Sequence, residues 1–217
     1  MLINKDLIRS NLSKYTRKAY KMLPAMDSPC ILDIGCGSGV PAIELAKLSN
    51  GRITAVDIDQ MKLDLLSLKL IENNLQGRIK ILKRSICDLN FDSCSFDVIW
   101  AEGSINFIGF ERGLKEWRRF IKSHGYLVVH DDRCDLENKL KIIKVCRYDL
   151  KTHFSLTKNI WWKEYYEPLE RKIRELSARS GNDSKTLESL KTEQEEIDMY
   201  KKNPGRFESV FFIMQKA

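Results

Sequence analysis

Nowhere does the sequence run for the ~18 apolar residues that a membrane-spanning helix needs. Its first fifteen residues carry Lys5, Asp6, Arg9 and Lys14, where a secretory signal would keep an uninterrupted apolar core. A cytoplasmic protein without a membrane span is expected. The six cysteines are scattered without a CxxC pair and the three histidines without HxxxH, so the usual zinc spacings are absent, no metal site is expected, and free thiols are the simpler reading. Internal repeats and low-complexity segments are also lacking. Charge of one sign is nowhere spread wide. The net charge is +7, yet residues 1–29 carry six basic and two acidic side chains, residues 30–150 eighteen and seventeen, and residues 151–217 thirteen and eleven. A surface basic throughout, as many nucleic-acid-binding proteins have, is therefore not expected, although a local basic patch could still hold an anion.

What is present is ordinary for a globular domain: 217 residues, 43% hydrophobic and 31% charged, enough for one sizeable core. From residue 30 onward, short apolar runs alternate with stretches at helical spacing. Ile31–Ile34 precedes 40–48, Ile53–Val56 precedes 61–74, Val98–Ala101 precedes 112–122, and Tyr126–Val129 precedes 138–147. Ile79–Leu82 is followed instead by a polar loop. Strands buried on both faces and joined by helices make a mostly parallel sheet with helices on either side. A sixth strand is expected near 152–156, two charged helices over 161–177 and 184–202 with a turn at Ser180-Gly181-Asn182-Asp183, and a buried last strand at 209–214.

The stretch Ile31-Leu32-Asp33-Ile34-Gly35-Cys36-Gly37-Ser38-Gly39-Val40 carries the most chemistry. A buried strand enters a loop with glycine at every second position and then a helix, which brings backbone amides and a helix N-terminus toward a bound ligand. The spacing is GxGxG, with Val40 where a dinucleotide fingerprint places its third glycine. Eighteen residues after Gly39, Asp57 ends the second apolar run; a carboxylate there can accept from both ribose hydroxyls, and it can equally cap the next helix.

With Asp33 two residues before Gly35, this pattern resembles the class I S-adenosylmethionine-dependent methyltransferases, whose first motif reads acidic-x-Gly-x-Gly-x-Gly. Over residues 30–132, including AEGSINFIGFERGLKEWRRFIK and GYLVV, it is similar to small-molecule methyltransferases of the ubiquinone- and menaquinone-biosynthesis-like type. The resemblance implies a Rossmann-like sheet of seven strands with the last antiparallel, and S-adenosyl-L-methionine as cofactor. It also implies cofactor contacts from Asp33, Gly35, Cys36, Gly37, Gly39, Asp57, Ile58, Ser85, Ile86 and Ala101. Ser85 stands where the family usually has an acidic residue that reads adenine, and Asp88 follows three residues on. His124-Gly125 stands where many relatives have Gly-Gly.

Glu102 and His130 lie at the carboxyl ends of the fourth and fifth strands, and both are candidate catalytic residues that could equally be structural. The cluster Trp161-Trp162-Lys163-Glu164-Tyr165-Tyr166 is dense enough to line a substrate mouth. Ile8, Leu12, Tyr15, Ala19 and Met22 fall on one helical face beside a basic stripe of Lys14, Arg17, Lys18 and Lys21. That segment is expected to form a mobile lid, and the stripe could attract an anionic acceptor or simply face solvent. A single domain over 1–217 results: helical lid 1–29, cofactor core 30–157, helical insertion 158–207 and last strand 208–217. The expected function is methyl transfer to a small molecule, with nucleic-acid methylation and non-catalytic cofactor binding as alternatives.

Overall fold

The computed structural model describes residues 3–179 and 184–217, so the expected turn at 180–183 lies outside the described residues. Strands β1 (Cys30–Ile34), β2 (Arg52–Asp57), β3 (Ile79–Lys83), β4 (Phe96–Glu102), β5 (Ile121–Asp132), β6 (Tyr148–Leu156) and β7 (Ser209–Lys216) form one sheet in the order β3-β2-β1-β4-β5-β7-β6. Strand β7 runs antiparallel to both neighbours, and the other pairings are parallel. The strand order reverses between β1 and β4, the place where open α/β sheets bind ligands.

Two apolar clusters flank the sheet. On one face α5 (Phe110–Trp117) and α6 (Leu136–Val145) bring Leu114, Trp117 and Ile143 against Leu32, Ile34 and Val129. On the other, α2 (Ser13–Tyr20), α3 (Val40–Leu48) and α4 (Gln60–Glu72) bring Ala19, Leu45 and Leu66 against Ile31, Val98 and Trp100. Helix α4 starts where Asp59 Oδ1 accepts from the Met61 and Lys62 amides at 3.0 and 3.3 Å, an N-cap that satisfies two otherwise unpaired donors.

A third cluster is made almost wholly of helical residues, with Ile3 added from the segment before the first helix. Ile8 of α1 (Lys5–Arg9) meets Tyr165, Tyr166, Leu169 and Ile173, together with Ile197 and Tyr200 of α9 (Ser184–Lys202). The aromatic cluster lies between α7 (Lys158–Trp161) and α8 (Glu167–Arg179) as a single π-helical turn, Trp162–Tyr166, a local widening that often marks functional sites.

Two expectations shift. The buried stripe of the N-terminal segment is Ile8, Ser13, Thr16, Ala19 and Leu23, whereas Met22 is exposed and Leu12 and Tyr15 are half-buried. The cause is that the segment is not one continuous helix: the 3₁₀ turn Ser10–Leu12 separates α1, whose Ile8 packs in the helical cluster, from α2, whose Ala19 packs against the sheet. His124 sits at φ +60°, a conformation that glycine adopts freely, which explains what a Gly-Gly pair would do at this bend.

Candidate active site

Beyond β1 the chain turns through Gly35, Gly37 and Gly39 at φ +71°, +54° and +81°. Glycine is demanded most at two of them. A Cβ on Gly35 would lie 2.4 Å from Ser104 Cβ, and one on Gly39 would lie 2.1 Å from Leu66 Cδ1. The amides of Gly35 and Cys36 both donate to Val56 O at 2.8 and 2.9 Å, and that of Gly39 to Cys36 O at 2.9 Å. The Gly37 amide donates to Asp57 Oδ2 at 2.8 Å. In this arrangement the glycines fold the loop against β2, and their amides are engaged rather than presented to a ligand. The Cys36 thiol is buried within the turn, and burial pushes its pKa up.

Three carboxylates gather at the ends of adjacent strands. Asp33 is 1% exposed, and its Oδ2 has no hydrogen-bond partner among the described residues. Burial, then the nearby charges of Glu102 and Asp57, push its pKa well above the ordinary carboxylate value. Asp57 accepts at Oδ1 from the Asp59 amide at 2.9 Å in addition to Gly37. Glu102 Oε1 accepts from Trp100 Nε1 at 2.7 Å and from Thr16 Oγ1 at 2.8 Å. Burial raises its pKa from 4.5 to about 7, against these hydrogen bonds and the Arg9 cation, which pull it down.

His130 is the direct partner of Glu102 in the β4–β5 register. Its ring stacks on Phe211 at 4.2 Å, and Nε2 lies 2.7 Å from Ser209 Oγ. Trp161 Nε1 donates to the same Oγ at 3.0 Å. An indole N–H only donates, so the buried Ser209 hydroxyl accepts from Trp161, while its hydrogen bond with His130 Nε2 runs in the direction set by the ring's tautomer. Burial, then the Arg9 cation, lower the His130 pKa to about 3. The ring is thus uncharged near neutrality, with Nε2 engaged by Ser209.

The N-terminal segment is docked over these strand ends. Asp6 accepts from Ser38 Oγ at 2.7 Å and Lys69 Nζ at 2.6 Å, so α1 is tied to the glycine loop itself. Burial works to raise the Asp6 pKa, but those two hydrogen bonds outweigh it and hold the carboxyl below its usual range. The basic stripe is largely spent on the protein. Lys14 pairs with Glu164 at 2.7 Å, Arg17 with Glu44 at 2.8 Å, and Lys18 lies 4.2 Å over the Phe154 ring. Sequence reasoning missed Thr16, which had a signal, a polar residue four after Leu12 and three before Ala19, inside the apolar face.

Of the remaining expected cofactor residues, Ile58 is 64% exposed beside Asp57, an apolar surface suited to a flat ring. Ser85 and Ile86 begin a turn after β3, closed by the Asp88 amide on Ser85 O at 3.1 Å, and Asp88 is exposed. Ala101 is fully buried in β4. Trp161 and Tyr165 meet edge to face at 6.1 Å, and both Tyr165 and Tyr166 are buried, so packing claims more of the aromatic cluster than an open mouth would. Among the described residues no cluster of His, Cys, Asp and Glu is arranged to hold a metal, and no helix is long and apolar enough to cross a membrane.

Residues 32–129, from β1 through β5, match the family described as a methyltransferase domain. Over that stretch the chain is similar to S-adenosylmethionine-dependent methyltransferases. The methyltransferase region is 28% identical over 120 residues to 27-O-demethylrifamycin SV methyltransferase of Amycolatopsis mediterranei, covering 55% of this chain and 44% of that protein. The chain spans 27% to 54% of the length of the first curated relatives it matches. Among solved structures, the [4+2]-cyclase SpnF superposes with a TM-score of 0.76 at 17% identity, covering 94% of this chain and 80% of that one. Phosphoethanolamine N-methyltransferase 2 of Haemonchus contortus, solved with S-adenosyl-L-methionine, gives 0.74 at 16%, covering 95% and 52%. At these identities the solved structures share the fold.

Proposed function

We propose that the protein transfers a methyl group from S-adenosylmethionine to a small-molecule acceptor. The observation that carries this reading is Asp33, a buried carboxylate with an unpartnered oxygen, repelled by Asp57 and Glu102. Such a cluster calls for a cation. S-adenosylmethionine brings an ammonium and a sulfonium, whereas a dinucleotide would bring the anionic pyrophosphate. Asp33 would hold the ammonium, Asp57 the ribose hydroxyls, and Ile58, Ser85 and Ile86 the adenine, with Ala101 backing the reacting end. When bound, the cofactor supplies an activated methyl group whose leaving group needs no proton.

The chain's own residues then orient and shield. Alignment alone can supply about 7–11 kcal/mol of a barrier of this kind. The docked α1–α2 segment excludes water, and Glu102, with its pKa near 7, accepts a proton from an acceptor hydroxyl or amine at the end of β4. His130 orients the wall through Ser209 and Trp161 rather than acting as base. The roof of helices over the strand ends suits a small acceptor better than a polymer. Nucleic-acid methylation rested on the basic stripe, which Glu164 and Glu44 largely neutralise.

Calorimetry tests the reading. S-adenosylhomocysteine should bind with saturating heat and NAD should not; the reverse would overturn it. Asp57→Ala should weaken the sulfur ligand by about 1.5–3 kcal/mol, the scale of hydrogen bonds to a charged group.

A further inference from the structure

Alternate residues of a strand share a face, so Trp100 and Glu102 project to the same side of β4, and both meet α2. The Tyr20 ring lies 6.5 Å from that of Trp100, and Thr16 Oγ1 donates to Glu102 Oε1 at 2.8 Å. Trp100 Nε1 donates to the same oxygen at 2.7 Å. Thr16 lies one helical turn before Ala19 and Tyr20, and Ala19 shares an apolar cluster with Trp100. The packing of α2 on the sheet is therefore what brings the hydroxyl to the carboxylate. Thr16 and Trp100 are buried, at 3% and 0% exposure, whereas Glu102 is half-buried. Among the described residues Oε2 takes no hydrogen bond, and it is not one of their buried unpartnered atoms, so it reaches open space.

An indole N–H can only donate, and a carboxyl oxygen that accepts from two donors has its lone pairs occupied. Oε1 is thus the acceptor oxygen in either ionisation state, and a proton taken up by Glu102 sits on Oε2. We propose that Thr16 is a positioning residue for methyl transfer: with Trp100 it fixes Oε1 and leaves Oε2 to the acceptor's proton, so the base is complete only while α2 is docked. The inference rests on the methyl-transfer reading, in which Glu102 is the base. The O–H or N–H proton of the acceptor passes to Oε2 as the acceptor's heteroatom bonds the methyl carbon, and the carbon–sulfur electron pair stays on sulfur. A hydrogen bond to the ionised carboxylate favours ionisation, so Thr16 pulls down a pKa that burial raises to about 7. The other charged or titratable groups beside Glu102 are Asp33 from β1, Arg9 from α1 and the uncharged His130 opposite it on β5. Among the described residues only Thr16 and Trp100 hydrogen-bond its side chain.

The indole N–H of Trp100 reports on its carboxylate partner, so its NMR resonance can be followed against pH, in the full chain without ligand and saturated with S-adenosylhomocysteine. It should titrate with a midpoint of about 7, and Glu102→Gln should abolish that titration. Thr16→Val keeps the shape of the side chain and removes the donor. The midpoint should then rise by about one pH unit, a tenfold change in acid dissociation and the scale of one hydrogen bond to a charged group. Thr16→Ser retains the hydroxyl and should bring the midpoint back toward that of the parent protein, with S-adenosylhomocysteine affinity unchanged throughout. Thr16→Ala, which also lacks the donor, should shift the midpoint in the same direction as valine and decides the matter if valine disturbs α2. A midpoint unmoved in both variants that lack the hydroxyl would overturn the inference, because Thr16 would then only fill space. A shift that serine fails to restore would overturn it too, as would a titration that persists in Glu102→Gln. Failure of the parent protein to bind S-adenosylhomocysteine would instead strike the methyl-transfer reading, while the ligand-free titration would still decide the hold of Thr16 on Glu102.

Discussion

The sheet and the helical cap above it are held together by different forces. In the sheet, Leu32, Ile34, Val98, Ile99, Trp100 and Leu127 through Val129 are all fully buried, and the helices on both faces add apolar side chains. The cap has a smaller apolar cluster, fastened by ion pairs at half-exposed positions: Lys5 to Glu193 and Glu196, Lys14 to Glu164, and Arg174 and Lys201 to Glu170. Burial of apolar area is not electrostatically screened, whereas partly exposed pairs contribute ~0–1 kcal/mol each and are screened. The apolar floor carries the residues proposed to hold the cofactor, and a roof whose fastening depends on solution conditions packs over them.

The largest effect should come from breaking the floor. Phe212 is fully buried on β7 and meets Phe110 at 5.4 Å. Phe212→Ala should cost about 3–5 kcal/mol in urea denaturation, with the transition shifted as a whole. A loss under 1 kcal/mol would mean that the sheet is not the stable half. At the seam between floor and roof, Glu102→Gln should slow turnover by about a hundredfold or more with cofactor affinity nearly unchanged. Because the ionised form is the base and burial raises its pKa to about 7, the rate of the parent protein should climb as pH rises through 7 and then level. The variant should lack that limb. If the limb persists, another group titrates.

The smallest effect belongs to the roof. Lys5→Ala combined with Lys14→Ala should cost no more than about 2 kcal/mol of global stability, yet hydrogen exchange should speed up in α1 and α2 while β1, β4 and β5 keep their protection. Raising salt on the parent protein should move exchange in the same direction. Equal acceleration in sheet and cap would erase the distinction between them.

The sheet was legible because most of its strands are short apolar runs, and GxGxG with Asp33 and Asp57 marked the edge where the candidate site lies. What stayed hidden depends on contacts between distant segments. Spacing could not reveal the break at Ser10–Leu12, so Leu12, Tyr15 and Met22 were expected on the buried face beside Ile8 and Ala19, where Ser13, Thr16 and Leu23 stand instead. The low pKa of His130 comes first from burial, to which Phe211, 81 residues away, contributes by stacking, and then from Arg9, 121 residues away. The stripe at Lys14 and Arg17 looked free until the fold supplied Glu164 and Glu44.

The link from Asp6 to Ser38 and Lys69 has a temporal consequence. It joins the roof to the glycine loop, so a cofactor seated as proposed would enter and leave only as these bonds part, and the cycle would then run no faster than that latch opens.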